Sequence, residues 1–153
     1  MRELLFIPRH KISLLDRAKA DLKAAKHNML LGESDEVVMD ISAYLCSQCA
    51  EKVAKYTITL EGNKYVADHR TDMYLQDLNN PDLRVLIEEA SFRLDAWFTT
   101  ICYARAIKSS KKAVEEVIVV CEKLIALADK LTPAIVTQEP LTPAAINWAK
   151  MVK

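Results

Sequence analysis

Apolar residues recur along this chain three and four positions apart, the spacing of helices that bury one side. Ile12, Leu14, Leu15, Ala18, Leu22, Ala25 and Met29 make the first stripe, which predicts a helix starting near Pro8 and stopping at Gly32. Ser34 and Asp35 then offer side-chain oxygens to the free N–H groups of a second helix, running from about Glu36 to Glu61 and ending at Gly62-Asn63. A short helix from about Thr71 to Leu78 comes next. Asn79-Asn80-Pro81-Asp82 breaks it and opens a long helix whose inward stripe is Leu83, Leu86, Ile87, Ala90, Leu94, Trp97, Phe98 and Ile101. Ser109 or Ser110 caps the last long helix, with Val114, Val117, Ile118, Cys121, Leu124, Ile125 and Ala128 on one side.

These elements predict an all-α fold, an up-and-down four-helix bundle with one additional short helix. Only two glycines and few alternating runs among many Ala, Leu, Lys and Glu residues argue against a sheet. Residues 1–131 form the bundle, and 132–153 a Pro-containing linker with a short amphipathic piece bearing Ile146, Trp148 and Met151. That piece packs on the bundle or on a partner. The last long helix is also apolar on its far side, at Val119, Val120 and Leu127. Either the tail covers that side or the chain forms a homodimer, and the homodimer is the expectation.

The second helix carries an irregularity. Its stripe Leu45, Cys49, Val53, Tyr56, Leu60 has Gln48 and Lys52 inside the apolar arc, within about 60° of Leu45 at the helical turn per residue. An unpaired buried amide costs about 1 to 3 kcal/mol and an ammonium more, so polar partners are expected opposite. The stripe of the following long helix extends geometrically to Arg105. Gln48, Lys52 and Arg105 together would cradle a phosphate. The competing reading ties Lys52 to Asp95 or another carboxylate and lets Arg105 reach water, and the sequence leaves both open.

With 21 basic and 21 acidic residues the formal net charge is zero, so the overall basic footprint of a dedicated nucleic-acid binder is missing. The distribution is uneven. Residues 1–31 hold seven Lys or Arg against three acids, and residues 32–51 hold five acids and no base. A solvated seam between antiparallel first and second helices is the expectation here, ahead of a functional patch. Cysteines 46, 49, 102 and 121 suit reduced thiols in a core, with Cys46 on the flank; Cys46-Ser-Gln-Cys49 has redox or zinc spacing but sits mid-helix. No signal-peptide pattern and no membrane-length run is present, and a cytoplasmic protein is expected. Neither Glu-x-x-His pairs for a di-metal site nor a Gly-rich phosphate loop occurs, so no metal and no cofactor are assigned.

Ala43-Tyr-Leu-Cys-Ser-Gln48-Cys-Ala-Glu51-Lys52-Val-Ala-Lys55 resembles the Gln-x-x-Glu-Lys-x-x-Lys helix of HEPN (higher eukaryotes and prokaryotes nucleotide-binding) domains. Asp68-His69-Arg-Thr-Asp-Met-Tyr-Leu75-Gln-Asp-Leu78 is similar to the family's segment of a histidine followed by leucines. The resemblance implies the same bundle, and it brings in Lys55 and His69 as ligand-binding candidates beside Gln48 and Lys52. His69 also reads as a cap for the short helix. Ribonuclease members carry an Arg, a polar residue and then a His on the last long helix, whereas here no histidine follows His69. Without that imidazole, RNA cleavage by the family route loses its acid and base, and no catalytic residue is assigned. Thr100-Ile-Cys-Tyr103-Ala-Arg105 resembles the Tyr-then-Arg element of non-nuclease members, which carries over Tyr103 and Arg105.

By this resemblance the chain is a non-catalytic module that binds a nucleotide, RNA or a partner such as a minimal nucleotidyltransferase, in a toxin–antitoxin-like setting. A divergent ribonuclease toxin and a purely structural helical adaptor are the alternatives.

Overall fold

A computed structural model describes residues 12–65, 67, 68, 70–102 and 109–132, the side chains at 92 and 96–102 excepted. The described residues are helical with no strand: α1 (Leu14–Leu31), α2 (Glu36–Leu60), a 3-10 turn (Thr71–Tyr74), α3 (Pro81–Cys102) and α4 (Lys111–Leu131). Ion pairs give their directions. Lys19 meets Asp129 and Lys26 meets Glu122, so α1 and α4 run antiparallel; α3 and α4 do the same, since Arg93 meets Glu116 while Asp82 at the start of α3 borders the same groove as Lys130 at the end of α4. α2 touches every other element and is the hub of an up-and-down bundle.

Local chemistry sets the helix ends. α1 begins at Ser13 rather than near Pro8, because Ser13 and Asp16 form a reciprocal capping box. Ile12 therefore lies outside the helix and is exposed, although periodicity assigns it to the stripe. Asp35 accepts from the N–H groups of Val37 and Val38, and Ser110 from Ala113, as the cap residues predict. Asn80 Oδ1 accepts from Leu83 N at 3.0 Å, opening α3 with Pro81 in its first turn. The short helix is tighter and shorter than expected, a single 3-10 turn ending at Tyr74.

The two glycines act differently. Gly62 has φ of 78°, and the N–H groups of Asn63 and Gly62 return to Ile58 O and Thr59 O at 3.0 Å each, the double bond of a left-handed helix stop. Gly32 has φ of −72°, which any residue adopts. It is small because a Cβ there would lie 2.8 Å from Met39 N and 2.9 Å from Met39 Cα, where α1 and α2 meet at their hairpin.

The core joins Leu15, Ala18, Leu22 and Ala25 of α1 to Leu83, Ile87, Ala90 and Leu94 of α3 and Val114, Val117, Cys121 and Leu124 of α4 through the central α2. Because α2 is surrounded, its buried set is broader than one stripe and is centred on Ala43, Cys46, Ala50, Val53 and Ile58. Leu45, Tyr56 and Leu60 are only partly buried. Cys46 is in the core, not on the flank, and its carbonyl accepts from Cys121 Sγ at 3.5 Å. Hydrogen bonds with Cys46 and Cys49, then burial, push the Cys121 thiol well above its ordinary range. The side chains of Trp97, Phe98, Ile101 and Cys102, and residues 133–153, lie outside the described residues.

Candidate functional site

Gln48, Lys52 and Lys55 lie at i, i+4 and i+7 on one side of α2, so their polar ends meet along the helix. Lys52 Nζ leaves the core edge toward α1 and reaches Asp21 Oδ2 at 2.5 Å. Of the reading that ties Lys52 to Asp95 or another carboxylate, the second branch is what the fold shows: the partner is Asp21. Asp95 is engaged elsewhere, accepting from Thr71 N at 2.6 Å, Thr71 Oγ1 at 2.7 Å and Asp72 N at 3.2 Å. It holds the 3-10 turn against α3, and burial raises its carboxyl above the usual range despite the lowering effect of those bonds.

Gln48 connects two ion pairs. Its Oε1 accepts from Lys52 Nζ at 3.4 Å, and its Nε2 donates to Glu51 Oε2 at 3.4 Å. Glu51 Oε1 accepts from Lys55 Nζ at 2.6 Å, an i, i+4 pair on α2 whose side chains are 6% and 13% exposed. Lys55 Nζ also sits 5.3 Å from the ring centre of Tyr65 and 5.6 Å from that of Tyr74, in reach of both π systems. Tyr74 in turn donates its hydroxyl to the carbonyl of Asp68. The result is a polar chain, Asp21, Lys52, Gln48, Glu51, Lys55 and the two tyrosines, with two acids against two bases.

Burial alone would lower the Lys55 ammonium. The bond and charge of Glu51, with Tyr74 beside them, overcome that and raise it above 10.5. Tyr74 moves up as well, chiefly by burial. Neither group titrates near neutrality, so neither serves as a proton-transfer agent there.

His69, Tyr103 and Arg105, the other ligand-binding candidates, lie outside the described residues. Sequence reasoning missed Asp21, Tyr65 and Tyr74 as members of this chain, and it named Glu51 only as a motif letter. Glu51 was recoverable, since it stands four residues before Lys55 and three after Gln48. The rest needed the packing of α1 and the 3-10 turn onto α2. The basic and acidic blocks of the N-terminal half do not simply answer each other: Lys19 and Lys26 pair with α4, and Glu33 pairs with Lys111. Among the described residues no group of three or more His, Cys, Asp or Glu is arranged to hold a metal ion, and no helix is long and apolar enough to cross a membrane.

A family model for the HEPN domain matches residues 13–131, from the cap of α1 to the last residue of α4. The chain belongs to the HEPN domain family. No curated protein and no solved structure matches it. The matched span of this HEPN domain coincides with the four long helices, and the Gln48-to-Lys55 face belongs to its central one.

Proposed function

We propose that this HEPN domain is a non-catalytic binding module. It acts in the cytoplasm as a helical homodimer that engages a partner protein such as a minimal nucleotidyltransferase, or a nucleotide or RNA, in a toxin–antitoxin-like setting. One observation carries the reading: on the family-like face of α2, Lys52 and Lys55 are each met by a carboxylate, at 2.5 and 2.6 Å. Cations neutralised in this way fix helix register and are poorly placed to stabilise a transition state, which requires charge left to be answered by substrate. Lys52 is the more accessible of the two, at 20% side-chain exposure against 13%. A phosphate group entering beside Gln48 would compete with Asp21 for it, and His69, Tyr103 and Arg105 complete the proposed ligand set.

The test uses the full chain with single-stranded RNA and, separately, with ATP. Intact RNA after long incubation, together with a rise in melting temperature that Lys52→Ala removes, supports the module. RNA degradation lost in His69→Ala would favour a divergent ribonuclease instead. If neither probe binds and Lys52→Ala affects stability alone, the nucleotide arm fails and the partner-protein arm remains.

A further inference from the structure

We propose that the groove between α3 and α4 is the homodimer interface, closed by a second copy whose two-fold axis runs along the groove; this rests on the homodimer part of the reading above. Arg93 on α3 and Glu116 on α4 pair across the antiparallel helices and fix their level. From there toward Asp82 and Lys130 the helices border an open groove in two parts, of about 440 and 470 Å³. Its floor is apolar. Val85 is 62% exposed and Val119 46%, with Leu86, Val120 and Leu127 half-buried between them. Side chains of this kind left in water mark a contact surface.

Its rims say what covers it. The α3 rim carries Asp82 and Glu89 and the α4 rim Lys123 and Lys130, while Arg93 and Glu116, which also border the groove, neutralise each other within the protomer. A two-fold axis along the groove lays α3 of one copy over α4 of the other, antiparallel and at the same level, so that contacts repeat reciprocally. Glu89 then faces the partner's Lys123, and Asp82 the partner's Lys130. An axis across the groove would set α3 on α3, acid against acid. Charge therefore selects one of the two face-to-face arrangements, and the surface is complementary to itself.

The test is a charge exchange in the full chain, read by sedimentation equilibrium. Glu89→Lys and Lys123→Glu each place like charges at two symmetric contacts, and each alone is expected to weaken the dimer by about tenfold or more. Mixing the two variants sets a Glu89→Lys copy against a Lys123→Glu copy, so that opposite charges meet again at both contacts, one with its signs reversed and the other as in the original chain. That restores an affinity near that of the original chain. Mixing changes nothing within a protomer, so recovery reports a contact between copies. Circular dichroism of each variant confirms that it is folded. A monomeric original chain, its groove covered by its own residues 133–153 or by a different protein, overturns both the interface and the homodimer reading. A dimer indifferent to both variants, or a mixture that fails to recover, overturns the interface and leaves the homodimer standing through another face.

Discussion

Lys55 Nζ lies 2.6 Å from Glu51 Oε1 on one face of α2, and both side chains are almost out of water. Ion pairs so placed are asymmetric in their energetics. The intact pair is close to neutral against an apolar replacement, whereas half a pair leaves a charge stranded.

Glu51→Ala should therefore destabilise the domain by about 3 kcal/mol, and Lys55→Ala by a similar amount, while Glu51→Leu with Lys55→Met costs far less than the two single losses combined. Urea unfolding of the three variants measures this. Additive losses would show that the pair is not acting as a unit.

Alkaline pH should erode stability through the same cluster. Lys55 is raised above 10.5 and Tyr74 above 10.0 in the folded state. For both, the unfolded chain releases its proton first as pH rises, so their contribution is complete below the unfolded values and disappears as pH climbs through the folded ones. A series of melting temperatures from pH 8 upward should fall steeply beyond about pH 10, and Lys55→Met should flatten that fall.

The α1 cap gives an acid-side counterpart. Asp16 is held below its ordinary value by hydrogen bonds from the side chain and backbone of Ser13, with a smaller contribution from Lys19. Its stabilisation is present above the unfolded carboxylate value and is lost as pH falls through the lowered folded one. Ser13→Ala should cost about 1 kcal/mol at neutral pH, and the deficit should shrink in acid, where the box is already broken. Thermal melts of both proteins from pH 7 to pH 3 check the convergence.

Alanine at the two glycines should act by different routes. Gly32→Ala drives a methyl into the backbone of Met39, at 2.8 Å from its nitrogen, and should cost about 1 to 3 kcal/mol. Gly62→Ala meets no atom within 4 Å and suffers only the left-handed backbone, about 1 kcal/mol. Gly62→Asn should recover part of that loss. At Gly32, truncating the side chain of Met39 should rescue nothing, since the clash is with main chain.

Four helices, their order and most of their caps were legible because each rests on neighbours in sequence. Asp35, Asn80, Ser110 and Gly62 all act within three or four residues of themselves. The start of α1 was misplaced where Pro8 outweighed a capping box that pairs Ser13 with Asp16 rather than with the more usual Glu or Gln. The oddity of Gln48 and Lys52 was legible too, as polar residues in an apolar arc.

What answers them was not. Asp21 is 31 residues from Lys52, and Tyr74 is 19 from Lys55. Periodicity gives the face a residue occupies on its own helix, but it carries no phase relation between one helix and the next. Rotating α1 by one residue would have presented another side chain to Lys52, and a single central stripe on α2 would have left Cys46 at the edge. Sequence alone determined which segments are helices and which positions are out of place in them. Tertiary packing decided which charges are paired and which apolar residues remain uncovered, because both depend on the relative rotation of helices whose contacts are set by the whole core.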